Sequence, residues 1–595
     1  MLFYLFIKKI KFLAKNHDQY IGFSTREIFN KLILIANKNK ISVFSVVEQV
    51  FQITRVNSVN KNYSSWISYI ENLSLDVVAG KLEVNSPVVS VILLGSPESN
   101  KELFIQSLGS LQKQTMFNWE LIVVTMDDGN FDKGLQDKRI KIYPPKFNCC
   151  FFQTINSVLD NCTGKYITFL KAGDQLSKHT VSFLSGNNLQ NLQAKLIVTD
   201  EDVLDNSGKR QSPFFKPDWN PDYLLNYNYF SKAVVYEKQF LKELGGFNIS
   251  VNDPYHDLAL RATQQLADAK IHHISHVLFH FKQSNDNRGE VVRVKYDVPL
   301  PTPLVSIIIP TKDQLSLLKD CVDGVLNETR YKNVEIIIVD NQSELSETLH
   351  YFNELRSTYK NIRILHYDKP FNYSDMNNTA VSEARGDVIV FLNNDVSVIG
   401  ENNNTVKVNH DDDWLTEMVS QACRAEIGCV GAKLFYPDGT IQHGGVILGL
   451  KGCASHAHKG FEGDSTGYFN RLIAVHNVSA VTAACMAVRK EVFEKVGGFD
   501  AVNLKVAYND VDLCLKVREA GYRNLFTPYA ELIHHESKSR GKKHKRKRKD
   551  AKKLRKEAEY LKKKWGDQLF TDPAYNKNLT LLTEDFALGL RREDH

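Results

Sequence analysis

Asp510 and Asp512 stand two apart in AYNDVDLCLKVREAGYR (507–523), just ahead of Leu513, Leu515 and Val517. An ionised carboxylate can take a proton in a reaction. The same pattern also suits a helix start, where the cap and the first turn favour Asp. Two further acids close apolar runs: Asp340 in VEIIIVDN (334–341) and Asp395 in GDVIVFLNNDV (386–396). His534 ends a third run, ELIH (531–534). A carboxylate at the end of a buried strand suits a polar ligand, held directly or through a metal.

These residues need elements to place them. VSIIIP (305–310), VEIIIVDN and GDVIVFLNNDV are β-branched runs, each followed by a polar cluster. The intervals between them suit helices, which is the βαβ rhythm of a parallel sheet with both faces covered. Ligands of open α/β sheets lie beyond the carboxyl ends of the strands, where Asp340 and Asp395 stand.

The pattern occurs twice. VVSVILLG (88–95) matches the first run, WELIVV (119–124) the second and TGKYITFLKAGD (163–174) the third. GGF recurs at 245–247 and 497–499, HDLAL (256–260) matches VDLCL (511–515), and VLFH (277–280) matches ELIH. Six segments in one order point to a duplicated domain, whose copies either share an interface or hang as tethered beads.

From about residue 60 onward the chain resembles the family 2 glycosyltransferases of the GT-A fold, in the subgroup that builds bacterial surface polysaccharides. The resemblance rests on many spaced segments in order, from VSIIIPT through FNYSDMNNTAVSEARGD (371–387) to LIHHESKSRG (532–541). It implies an α/β fold class with two tandem Rossmann-like GT-A domains and a small helical N-terminal region. It implies transfer of a sugar from a nucleotide diphosphate sugar to a glycan or lipid-linked acceptor, with inversion. Asp510 is then the catalytic base and Asp512 its support. Asp395 and His534 are the metal-side residues for Mg²⁺ or Mn²⁺, within the motif Asn393-Asn394-Asp395. Pro310, Thr311, Asp340, Asn341, Asn377, Asn394 and Arg540 line the donor site, with Asp340 on the nucleotide base. Thr482–Cys485 resembles the strand facing the acceptor. A binding module without turnover, or a bifunctional enzyme with both copies active, are the competing readings.

The first copy departs where the chemistry should be. By the motif match, Lys171 and Gly173 replace metal-side carboxylates, and Tyr255 replaces the base. A phenol with a pKa of about 10 is a poor base at neutral pH. Asp253 substitutes only if its loop bends differently. TDEDVLDNSGKRQSPFFKPDWNPDYLLNYNYF (199–230) resembles the wall of the donor or acceptor site. Phe214, Phe215, Trp219, Tyr223, Tyr227 and Tyr229 either offer a face to sugars or pack under a loop. A silent first copy is the reading taken, with an altered active site as the alternative.

The expected domains are a helical region at 1–85, the first GT-A-like unit at 86–290 and a proline-rich linker at 291–303. The second, catalytic unit follows at 304–541 and a basic helical extension at 542–595. Pro299, Pro301 and Pro303 make the linker short and stiff. A chain of 595 residues exceeds one core. Nine cysteines without a CxxC pair fit a reducing compartment. The stretch MLFYLFIKKIKFLA is too short to span a bilayer and lacks a cleavage signal. It reads as a packed first helix or as an interfacial one. Twelve Lys and Arg fall between 540 and 556. They suit an anionic membrane surface, at about 1 kcal/mol each. Nucleic acid is not an expected partner, because no aromatic interleaving accompanies the run. The expected place is cytoplasmic, peripheral on the inner membrane face. The polar stretch at 401–410 reads as an inserted loop, Asp411–Asp413 as loop and cap, and 456–470 as a mobile loop.

Overall fold

The computed structural model describes residues 59–71, 87–95, 101–125, 137–143, 151–186, 193–283, 289–400, 413–536 and 548–589. The expectations for the apolar N-terminal stretch, the 401–410 insert and Arg540 lie outside these residues.

Helix α1 (Val59–Trp66) runs into a π-helical turn at Ile67–Glu71. The first sheet contains β1 (Val89–Leu94), β2 (Trp119–Val124), β3 (Ile140–Tyr143), β4 (Tyr166–Lys171) and β5 (Gln175–Leu176). It continues with β6 (Leu196–Leu204), β7 (Arg210–Phe214), β8 (Val234–Glu237) and β9 (Ile271–Lys282). Helix α2 (Pro254–Gln265) precedes β9. The second sheet begins with β10 (Val305–Thr311), β11 (Val334–Asp340), β12 (Ile362–His366), helix α3 (Tyr373–Glu383), β13 (Val388–Leu392) and β14 (Val396–Val398). Then come β15 (Ile427–Phe435), β16 (Ile441–His443), the separate ribbon of β17 (Val446–Leu448) and β18 (Ala454–His456), β19 (His476–Val478) and β20 (Cys485–Arg489). Helix α4 (Asn509–Glu519), β21 (Arg523–His534) and helix α5 (Arg548–Trp565) come next, and a largely irregular C-terminal segment at 566–589 follows α5.

The two sheets have one topology. The first runs β3-β2-β1-β4-β8-β6-β9-β5 and the second β12-β11-β10-β13-β20-β15-β21-β14. The tandem α/β architecture expected from the repeat is thus present. The sheets are mixed rather than wholly parallel. β13 and β20 are antiparallel, because the chain re-enters the sheet at the edge where β13 left it. There Asn393 N–H donates to Ala484 O at 3.0 Å.

Two polar devices recur in both units. Ser90 Oγ donates to Glu120, and Gly164 N–H donates back to Ser90 Oγ. Ser306, Glu335 and Gly386 repeat the arrangement. Gly386 must lack a side chain, since a Cβ there would lie 2.5 Å from Ser306 N. The second device is an asparagine staple. The Asn156 amide both donates to and accepts from the Phe247 backbone, each at 2.8 Å, and Asn378 does the same to Phe499. These staples explain the recurring GGF: the glycines have positive φ, and a Cβ on Gly498 would meet Asn378 Oδ1 at 2.8 Å.

The units meet along a dense seam. Asn220 and Asn477 exchange hydrogen bonds of 2.8 and 2.9 Å, and Asp222 pairs with Arg424 at 2.6 Å. Phe214 stacks on Phe469 with centroids 3.7 Å apart, and Tyr223 Oη donates to Phe469 O. The aromatic cluster of the first unit is therefore core: Phe214, Phe215, Tyr223, Tyr227 and Tyr229 are at most 2% exposed. Trp219 alone of the six retains substantial surface. The stretch at 456–470, expected as a mobile loop, is irregular and partly exposed, with His458 fully buried, and its end joins this seam through Tyr468 and Phe469. Tyr468 and Phe469 found an aromatic partner, Phe214, in the other unit, which no local pattern reveals.

The TDED acids of β6 are consumed by the same packing. Asp202 pairs with Arg210 and with His280 at 2.6 Å, and Tyr63 Oη of α1 donates to it at 2.7 Å. Glu201 pairs with the buried Lys216 at 2.8 Å. Asp200 accepts from the Asn576 amide of the C-terminal segment at 3.0 Å and pairs with His273 Nε2 at 2.9 Å. His273 Nδ1 faces Asp218 at 2.8 Å. Burial opposes the imidazolium, but Asp200 and the two hydrogen bonds outweigh it and raise the pKa to about 9.

A raised histidine pKa stabilises the fold fully below the unfolded value of about 6.5 and loses that contribution as pH rises through about 9. Urea unfolding of wild type is expected to show falling stability across that window. His273→Gln removes one partner of a buried charge cluster and should cost roughly 3 kcal/mol at pH 6.5. Its stability should then depend less on pH between 6.5 and 9.

Candidate functional site

The carboxyl edges of β10, β11 and β13 gather most of the predicted residues. Pro310 and Thr311 end β10, where Thr311 pairs with Asp340 across the ladder. Asn394 Nδ2 donates to Thr311 Oγ1 at 2.9 Å, tying the turn after β13 to the end of β10. Asp340 is nearly buried; it accepts from Ser343 N–H at 3.0 Å and faces His366 Nδ1 at 3.3 Å. Asp395 precedes β14, and Val396 pairs with His534 of β21. That register brings Asp395 Oδ1 within 3.3 Å of His534 Nε2. Neighbouring His535 donates its N–H to Asp395 O at 2.8 Å and shares a 2.8 Å hydrogen bond with Ser397.

Asp510 approaches from the other side. It is the second residue of α4, half-buried, and accepts from Val511 N–H at 2.9 Å and Ala483 N–H at 3.3 Å. Burial raises its pKa, against hydrogen bonds from Val511, Ala483 and Thr482. Residues 483–484 thus link Asp510 to the turn that carries Asp395: Ala483 N–H meets Asp510, and Ala484 O accepts from Asn393 N–H. Tyr373 Oη donates to Ala483 O at 3.0 Å. Burial raises the Tyr373 pKa, as do the charges of Asp510 and then Asp395, so its hydroxyl remains protonated between the two. The sequence reading missed Tyr373. Its only signal was a place one residue after the helix cap Asn372.

The amide N–H groups of two further predicted donor residues bond to the protein backbone. The Asn341 amide donates to Tyr367 O at 3.2 Å and Lys369 O at 2.8 Å, bracing the loop after β12. Asn377 is fully buried and donates to Tyr373 O of its own helix at 2.7 Å. Asp512, expected to support the base, is wholly buried and binds Trp565 Nε1 at 2.8 Å and Lys564 Nζ at 2.6 Å.

Among the described residues no three His, Cys, Asp or Glu side chains converge as a metal-ligand set. Asp395 and His534 do fit two positions of one. Their 3.3 Å separation is close to the ~3.0 Å between adjacent ligands of an octahedral cation with bonds of about 2.1 Å. A cation held there needs further oxygens from water or phosphate, the usual arrangement for Mg²⁺.

The first unit uses the equivalent positions differently. Gln175 pairs with His280 as Val396 pairs with His534. Asp174, not Gly173, therefore occupies the place of Asp395, and the sequence match shifts by one because strand β4 is a residue longer than β13. Asp174 Oδ2 accepts from Lys171 N–H at 2.8 Å and Oδ1 from Lys282 N–H at 2.9 Å, while burial raises its pKa to about 6. His280 is turned to Asp202. Tyr255 packs against Phe152 and Phe247, and Asp253 caps α2 by accepting from His256 N–H.

The model for glycosyl transferase family 2 matches residues 306–497. That segment is a glycosyl transferase family 2 domain. Similarity extends further, to the uncharacterised protein y4gI of Sinorhizobium fredii, with 37% identity over 85% of this chain and 59% of that protein. The O-antigen biosynthesis protein RfbC of Myxococcus xanthus is 33% identical over 84% of this chain and 41% of its own length. The chain thus spans about half the length of these curated relatives. Among solved structures, a mannosyltransferase from Pyrobaculum calidifontis in complex with GDP-Man and Mn²⁺ aligns with 41% of this chain and 61% of that one, at 17% identity and a TM-score of 0.30. The family 2 segment holds β10 to β20 with Asp340, Asp395 and Tyr373; α4 and β21, with Asp510 and His534, lie beyond it.

Tyr373→Phe deletes the donor to Ala483 O and leaves that carbonyl short of a partner. Denaturant unfolding should register a loss of about 1–2 kcal/mol, with the fold retained by circular dichroism.

Proposed function

We propose that the second unit is a glycosyltransferase that moves a sugar from a nucleotide diphosphate sugar to a glycan or lipid-linked acceptor. The observation that carries this reading is the backbone at 483–484, inside the family 2 segment, which meets Asp510, a carboxylate with raised pKa, on one side and the turn leading from Asn393 to the Asp395–His534 pair on the other. Asp510 takes the proton of the acceptor hydroxyl as that oxygen attacks the anomeric carbon. Asp340 contacts the nucleotide base, and Thr311 and Asn394 shape the edge between it and the phosphates. Asp395 and His534 would hold a divalent cation, which when bound offsets charge on the departing diphosphate. Attack opposite the leaving group inverts the anomeric centre.

The name of the Myxococcus xanthus relative supports surface polysaccharide, O-antigen or capsule, as the product class. The first unit is read as silent in transfer. Its counterpart histidine is committed to Asp202 and its counterpart of the base is a half-buried phenol whose pKa is raised by desolvation. On this reading the domains are the tandem units expected from the repeat, closed by the C-terminal segment. No described helix is long and apolar enough to cross a membrane. Lys552, Lys553, Arg555, Lys556 and Lys563 of α5 are exposed and suit peripheral attachment to an anionic inner-membrane surface.

Incubation with a panel of nucleotide sugars, Mg²⁺ or Mn²⁺ and extracted lipid-linked acceptor tests the assignment, with NMR of the new linkage reading its stereochemistry. Asp510→Asn should lower kcat at least ~100-fold with donor binding retained, whereas Asp395→Ala should weaken metal-dependent donor binding as well. Tyr255→Phe should leave transfer within about twofold. Donor binding without transfer or hydrolysis by wild type would favour the binding-module reading. Full turnover by Asp510→Asn would refute the base.

The pH profile gives a second check. Burial raises the Asp510 pKa, so the acidic limb of kcat should lie above the ordinary Asp value of about 3.9. The Thr482 hydrogen bond favours the ionised form, so Thr482→Val should move that limb to higher pH.

A further inference from the structure

Helix α4 starts without the usual support. Its cap residue Tyr508 is left-handed, with φ of 58°, and its side chain makes no capping hydrogen bond. The support comes from α5, far along the chain. Glu557 Oε2 accepts from Ala507 N–H at 2.6 Å and from Val506 N–H at 3.3 Å. Past the acid, Asp512 Oδ1 accepts from Trp565 Nε1 at 2.8 Å and pairs with Lys564 Nζ at 2.6 Å. Glu557, Leu561 and Trp565, spaced by four, are the buried stripe of α5. Asp510 lies between these two anchors.

The first unit provides an internal comparison. Its helix α2 is capped by its own Asp253, at 3.0 Å from His256 N. Asp257, in the place of Asp512, pairs with Arg261 one turn along the same helix at 2.8 Å. Arg261 also donates to Leu244 O and Gly246 O, closing the GGF turn locally. The unit with a tyrosine at the base position thus secures its own helix. The unit with a carboxylate there keeps a weaker form of the same contacts, Lys516 reaching Asp512 at 3.7 Å and donating to Gly498 O, and adds to them a helix from the C-terminal segment.

We propose that α5 is a clamp on the Asp510 helix, with Glu557 and Trp565 as positioning residues that fix where the carboxylate meets the acceptor hydroxyl. This rests on the reading of Asp510 as the base. Neither residue touches substrate; each acts through backbone or Asp512. The Ala507 and Val506 amides lose their acceptor when Glu557 is shortened, and Asp512 loses a donor when the indole N–H is removed.

The full-length protein carrying Glu557→Ala, Glu557→Gln or Trp565→Phe decides it, by amide hydrogen exchange and by transfer kinetics. Exchange over 506–512 should speed up about tenfold in Glu557→Ala and Trp565→Phe, with β10 and β11 as protected as in wild type. In the same two variants kcat should fall about 10- to 100-fold while donor KM stays within about twofold. Glu557→Gln keeps an acceptor oxygen at the same reach and should recover most of kcat. The acidic limb of the pH profile should move down in the loosened variants, as water reaches Asp510. Trp565→Phe preserves the buried ring, so it should fold even if Glu557→Ala does not. Unchanged exchange and kcat in the folded variants would overturn the clamp, as would loss of protection throughout the second unit. Should wild type transfer no sugar from any donor, the transferase reading fails, and the exchange at 506–512 still decides the clamp.

Discussion

The backbone at 482–484 is the constraint on which the second unit depends. A strand entering a sheet leaves N–H and C=O groups that must find partners. Here one set is met by the turn carrying Asn393 to Asp395, another by Asp510, and the Ala483 carbonyl by Tyr373. Satisfying ordinary backbone valences thereby fixes two acidic groups relative to each other. The site needs no dedicated scaffold, because the sheet edge is the scaffold.

The same economy explains how one topology came to hold two different interiors. Both units retain the serine–glutamate–glycine lock and the asparagine staple on the GGF turn, so both satisfy the fold. What separates them is where the remaining polar groups turn. In the first unit His280 and the TDED acids face inward, onto α1 and the C-terminal segment, and become the cement of the assembly. Buried charges of this kind must be paired, and once paired they are costly to release for a ligand. In the second unit the counterpart histidine faces Asp395 at the sheet edge.

The seam gives this arrangement its stiffness. Phe214 on Phe469, the Asn220–Asn477 exchange and the Asp222–Arg424 pair join the units directly. Linker residue Val292 donates to Asn226 O of the first unit, and Arg293 pairs with Glu417 of the second. The tethered-bead alternative is incompatible with so many buried contacts.

The sequence alone determined the duplicated α/β rhythm, the placing of Asp340 and Asp395 at strand ends and of Asp510 at a helix start, because these follow from local periodicity and capping chemistry. It also exposed the family pattern, through segments whose order is one-dimensional information. Only the tertiary structure decided which polar groups remain at the edge. Asn341 and Asn377 look like ligand residues in sequence, yet both turn to backbone carbonyls of the protein. The aromatic run of the first unit became core, and the end of the loop at 456–470 joined the seam. Asp512 found its partners 52 and 53 residues away, at Lys564 and Trp565. Tyr373 gained its place from a carbonyl 110 residues distant. A side chain's partner in a folded chain is set by packing between remote segments, and residue type constrains only what that partner must be able to donate or accept.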